Sequence, residues 1–176
     1  ADGVNLMYGK MGWLTIMLLS ALMPFIVMTG MHYALVPICI INQASFGWDA
    51  ILITTMFCSN LAQGGATLAV AVKTKDKDVR ATASAAGISA VIAGVTEPAL
   101  YGVTLKYKTP MIAAVCAAGA AGLYSGITHL VAYTMGGSPS VLSLIQMIGG
   151  EGMGNFINGI VAMAITLVIS FALSYI

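Results

Sequence analysis

The chain has 176 residues, 59% of them hydrophobic and only 7% charged, and its mean hydropathy is +0.95. That balance excludes an ordinary soluble domain, whose charged share is about 25%, and a net charge of +1 offers no field for nucleic acid. Residues 11–48, 111–150 and 152–176 carry no charge; runs of that length exceed the roughly 20 residues that cross a bilayer as helix, so an all-α integral membrane protein is expected.

In chain order, the first predicted span covers residues 11–31 (MGWLTIMLLSALMPFIVMTGM), with Pro24 inside it as a kink. His32 follows in TGMHYALVP, ahead of an apolar stretch interrupted by Pro37 and the polar pair Asn42-Gln43. A second span is expected over 50–72, a third over about 110–135 and a fourth over about 156–176. Residues 138–152 (SPSVLSLIQMIGGEG) are apolar but too short to span, and are read as a second re-entrant or interfacial segment.

The basic residues orient these pieces. Lys73, Lys75, Lys77 and Arg80 cluster in KTKDKDVR, and Lys106 and Lys108 follow in LKYKTP, so the positive-inside rule places both loops in the cytoplasm, in agreement with Lys10 before the first span. The 25 residues from 81 to 105 are too few for two spans, and a single span would carry the second loop to the other face. The consistent solution is a re-entrant helical hairpin that descends through ATASAAGISAVIAGV, breaks at Thr96-Glu97-Pro98 and returns through ALYGVTL. Broken helices at membrane depth are tolerated where protein or a water-filled cavity surrounds them, and transporters build binding sites from them. Glu97 at such a tip is a carboxylate placed where a polar ligand can reach it, since an unused acid in lipid is expensive.

Other polar residues weigh less. Asn60 and Gln63 share one face of the second span, where amides serve either a ligand or helix stapling. His32 and His129, the latter expected inside the third span, are lone histidines. Asp49, Glu151, Asn155 and Asn158 fall at span ends, where capping is the default. Cys39, Cys58 and Cys116 lie singly in apolar runs without the paired spacing of a metal site, so each is expected as a small buried hydrophobe, with no metal or cofactor. Gly119, Gly122 and Gly126 form a small-residue face that includes a Gly-x-x-x-Gly pair, read as packing within the chain in preference to dimerisation. The 73–80 loop is primarily the topology signal; its alternative use is to face a phosphorylated cytoplasmic partner.

GVTEPALYGV, residues 94–103, resembles the Gly-Ile/Val-Thr-Glu-Pro signature of the enzyme IIC membrane component of the bacterial phosphoenolpyruvate-dependent sugar phosphotransferase system, glucose superfamily. TGMHYALVPICIINQASFGWDAI is similar to its β-glucoside branch, with Gln43 where that branch has a second Asn. The resemblance spans nearly the whole chain and corresponds to the C-terminal, sugar-binding transport part of a IIC domain. It implies about four transmembrane helices with one or two re-entrant hairpins in the bacterial inner membrane. Glu97 is then the group that positions or deprotonates the sugar hydroxyl, with His32, Thr96, Gln63 and Asn42 as substrate ligands. The implied partners are a β-glucoside-type sugar, a IIB domain whose phosphocysteine donates the phosphoryl group, IIA and the histidine phosphocarrier protein behind it, membrane lipid, and a second copy through N-terminal IIC helices absent here. No cofactor is implied. The rival readings are an ion-coupled sugar transporter without phosphorylation and a non-transporting membrane fragment.

Overall fold

The computed structural model describes residues 2–150 and 152–176, with side chains from residue 12 onward. Glu151, expected at a span end, lies outside the described residues, as does the side chain of Lys10. Among the described residues the fold is all-α, with strand-like pairing confined to one antiparallel bridge between Asp49 and Ala132. Helix α1 (Asp2–Met28) leads through a 3-10 turn (Met31–Leu35) into α2 (Val36–Phe46) and α3 (Leu52–Lys73). Helix α4 (Lys77–Ile88) continues as a π-helical turn (Ser89–Ala93). After a break, α5 (Glu97–Ala99), a second π-helical turn (Leu100–Thr104) and α6 (Leu105–Tyr107) form one returning arm. Helix α7 (Thr109–Ile127), a 3-10 turn (Val141–Met147) and α8 (Gly154–Tyr175) complete the chain.

Helix α3 is the axis of the bundle, buried along most of its length and packed against α1, α4, α7 and α8. Its small residues permit this, because helices whose driving force is close packing need backbones that can approach. Ala62 and Ala66 meet Ala113, Ala114, Ala117 and Ala118 of α7. At Gly64 an added Cβ would lie 3.2 Å from the Gly87 carbonyl oxygen of α4. Phe57, Cys58 and Leu61 close the core with Ala121, Leu130, Met147 and Ala162.

The glycine face of α7 receives α1, as expected of packing within the chain. A Cβ on Gly126 would stand 2.4 Å from Trp13 Cα, and one on Gly122 would stand 2.8 Å from the Ile16 carbonyl oxygen. Backbone atoms cannot yield there, so Gly126→Leu is expected to part α1 from α7 and destabilise by about 3 kcal/mol or more. Thermal unfolding of detergent-solubilised protein measures this. Gly154→Ala, where nothing lies within 4 Å, is the control and should melt like the parent.

Two described helices, α7 and α8, are long and apolar enough to cross a bilayer; the described apolar part of α1, Gly12–Met28, is shorter. The predicted second span is present as α3, but its inward polar residues Thr54, Thr55, Ser59, Asn60 and Gln63 dilute its apolarity below that of the other two. Helix α8 turns Ile157, Ile160 and Val168 outward, an apolar surface suited to lipid.

The predicted third span is shorter than expected. Helix α7 stops at Ile127, and His129, at φ 51°, belongs to the turn after it. Leu130, Val131 and Ala132 prolong the apolar run in sequence, yet they are buried as extended chain, with Ala132 and Asp49 exchanging backbone hydrogen bonds of 2.8 Å each way. Hydropathy sees burial, not conformation. Cys116 is likewise corrected: Cys39 and Cys58 are buried, but Cys116 is exposed, one turn from the outward Ile112.

Polar residues at helix ends act as local clamps. The buried Asp49 carboxylate accepts from Ile53 N at 3.0 Å and Asn42 Nδ2 at 3.1 Å, holding the start of α3. Asn155 donates to the carbonyls of Val131 and Met147 at 2.8 and 2.7 Å, and Asn158 accepts from the Tyr124 hydroxyl at 3.1 Å. Of the stretch 138–152, expected as a re-entrant or interfacial piece, the described residues 138–150 fold as a loop and 3-10 turn (Val141–Met147) headed by a Ser140 capping box, the turn tucked against α8.

Candidate functional site

The charge-based hairpin corresponds to a helix, a break and a returning helix packed on each other. Asp76 caps α4, accepting from the backbone of Asp78 and Val79 at 2.8 and 3.2 Å. The descending arm ends at Gly94 with φ 70°, two residues earlier than the expected break at Thr96-Glu97-Pro98. A left-handed residue there is cheapest as glycine. The returning arm starts with Glu97 and Pro98, where proline's missing N–H leaves no bond unmade and an acid faces the positive end of the helix.

Helix α1 stops at Met28, and Gly30, at φ 72°, turns the chain so that His32 lies in the following 3-10 turn. That break lets His32 reach the hairpin tip, which an unbroken span to residue 31 would prevent. Tyr101 of the returning arm donates to the Met28 carbonyl at 3.4 Å, joining the end of α1 to the hairpin.

Between these pieces lies a cavity of about 450 Å³, within the ordinary range of ligand sites. Its polar lining includes His32, Tyr33, Thr96, Glu97 and Ser138, and its apolar lining includes Val27, Val36, Leu52, Ile53, Met56 and Met135. Glu97 is exposed to it, and no described residue hydrogen-bonds or ion-pairs with the carboxylate. His32 Nδ1 is buried without a hydrogen-bond partner, a state that polar atoms rarely keep unless something else supplies the bond. The His32 and Tyr33 rings lie 4.2 Å apart at 35°.

Of the five residues expected to touch substrate, His32, Thr96 and Glu97 therefore meet in one cavity although 64 positions separate the first two. Gln63 and Asn42 do not join them. Gln63 accepts from Thr104 Oγ1 at 2.8 Å and donates to the Met111 sulfur at 3.4 Å, while Asn42 donates to Asp49. Sequence reasoning missed the Met135–Pro139 wall and Tyr33. The Gly-Gly-Ser-Pro run at 136–139 was a loop signal, but nothing in it says which cavity the loop walls.

The chain belongs to the phosphotransferase system EIIC family, whose model matches residues 1–119 and so includes His32, Thr96 and Glu97. It is 36% identical over 171 residues to the arbutin-, cellobiose-, and salicin-specific EIIBC component of Escherichia coli K12, covering 97% of this chain and 35% of that protein. It is 35% identical to the beta-glucoside-specific EIIBCA component of Bacillus subtilis, covering 99% and 28%. To the sucrose-specific EIIBCA component of Pediococcus pentosaceus it is 33% identical, covering 99% and 26%. The chain thus spans about a third or less of the length of these relatives. No solved structure matches it significantly.

Proposed function

We propose that this chain is the sugar-binding transport part of a multi-pass permease of the bacterial inner membrane that takes up a β-glucoside-type sugar and presents it for phosphorylation. The observation that carries this is the convergence of Glu97, Thr96 and His32 at the tip of a broken-helix hairpin in a chain of the EIIC family. The apolar half of the cavity suits an aglycone or second ring, while the polar half suits sugar hydroxyls. The names of the first two relatives favour β-glucosides, and that of the third shows that a similar chain serves sucrose.

In the proposed reaction a sugar hydroxyl hydrogen-bonded to the Glu97 carboxylate attacks the phosphorus of a IIB phosphocysteine. The new P–O bond forms as the P–S bond breaks, the electron pair leaves with the cysteine sulfur, and the hydroxyl proton passes to Glu97. Phosphoryl transfer needs mainly in-line positioning and charge stabilisation, and His32 Nδ1 fixes the ring by bonding a second hydroxyl. The anionic product no longer suits a cavity that holds a carboxylate, so uptake needs no ion gradient. IIA and the histidine phosphocarrier protein recharge IIB, and a second copy joins through helices outside this chain.

Membranes containing the full-length protein, given phosphorylated IIB and a labelled aryl β-glucoside, should form sugar phosphate. Gradient-driven uptake of unmodified sugar would instead decide for an ion-coupled transporter. His32→Gln is expected to raise KM about tenfold by removing one ligand hydrogen bond; the saturation curve in the same membranes checks it.

A further inference from the structure

Asn60 does not line the cavity; it is 1% exposed on the inward side of α3. Its Nδ2 donates to the Gly94 carbonyl at 3.2 Å and to the Pro139 carbonyl at 2.8 Å. Those carbonyls sit in the two segments, Gly94–Glu97 and Met135–Pro139, that supply much of the cavity wall. An amide nitrogen has two hydrogens, and here each goes to a different segment. Ser138 Oγ adds a 2.7 Å bond to the same Gly94 carbonyl. The segments are in backbone contact, since a Cβ on Gly94 would lie 2.5 Å from the Pro139 oxygen. This junction is three residues from Glu97 and hangs from α3, which is buried along most of its length.

We infer that Asn60 is a positioning residue for the sugar site: it ties the hairpin tip to the 135–139 loop through α3 and so fixes where Glu97 meets the substrate. The inference rests on reading the cavity as the sugar site. Without Nδ2 the Pro139 carbonyl loses its donor and the Gly94 carbonyl keeps only the Ser138 hydroxyl. The tip is then free to shift relative to α3. A displacement of about 1 Å is enough to cost roughly a hundredfold in an oriented reaction, so a small movement has a large readout.

The test uses full-length protein in membranes, with rates and binding expressed per folded, protease-resistant molecule and a labelled aryl β-glucoside as probe. Asn60→Ala is expected to weaken sugar binding about tenfold, yet in a Glu97→Gln background to weaken it by less than about threefold, because the residue it positions is already gone. If Asn60→Ala does not accumulate, the isosteric Asn60→Asp, which keeps the volume and removes the donor, carries the same expectation. Wild-type binding in the folded variant overturns the inference. So does an equal loss in both backgrounds, which would mark plain helix packing. Unchanged binding in Glu97→Gln alone overturns the sugar-site reading and this inference with it, whereas loss there beside wild-type binding in the Asn60 variant overturns this inference alone.

Discussion

Glu97→Gln is expected to lower sugar phosphorylation by about a hundredfold or more, the lower end of what a positioned general base contributes, while helix content and membrane insertion stay as in the parent. The two halves of that expectation have separate causes. The carboxylate is exposed to the cavity and no described residue bonds to it, so the fold loses only the modest interaction of an acid with a helix start, about 0.3–1 kcal/mol. The reaction loses more, because an amide cannot take the hydroxyl proton as the oxygen attacks phosphorus. Initial rates with phosphorylated IIB, beside circular dichroism of the purified variant, separate the two. A variant that phosphorylates at the parental rate contradicts the role given to Glu97.

The second large effect is expected at Gly94→Ala. At φ 70° a residue with a Cβ is disfavoured by roughly 1–2 kcal/mol, and the new atom would lie 2.5 Å from the Pro139 oxygen and 2.8 Å from the Ser138 oxygen. Both are backbone atoms, so the 135–139 loop must move away from the hairpin tip. The break-up is local, because the core against α3 lies in other residues. Binding of a labelled β-glucoside should fall by well over tenfold, while the melting temperature drops less than for Gly126→Leu. Equal melting losses would mean that the tip is part of the core and not a separately held loop.

The hairpin was legible without any comparison, because the two basic loops cannot lie on the same face unless residues 81–105 turn back between them. Its end lies two residues earlier than the Thr96-Glu97-Pro98 signal indicates, because Pro98 marks the start of the returning arm, whereas the left-handed Gly94 stops the descending one. The run 128–135 reads as helix because it continues the uncharged, apolar stretch that begins at 111; Leu130 and Ala132 are indeed buried, but the pairing of Ala132 with Asp49 shows that the chain there has left the helix. Amide positions were the hardest. Asn42, Asn60 and Gln63 look alike in sequence, yet in the fold each meets a protein partner, and a polar residue on a helix does not announce what faces it. His32 was legible as a residue but not as a location, since that depended on α1 ending at Met28.

The claim on which the account depends is that sugar occupies the cavity beneath the hairpin tip. Val95 lines that cavity and is 43% exposed, so a cysteine placed there, in full-length protein whose exposed Cys116 is changed to Ser, can be alkylated from the cavity. At ten times its dissociation constant an aryl β-glucoside should slow alkylation of Val95→Cys about tenfold, and the same sugar concentration should protect several-fold less once Glu97→Gln weakens binding. Alkylation at one rate with and without the sugar would contradict the account.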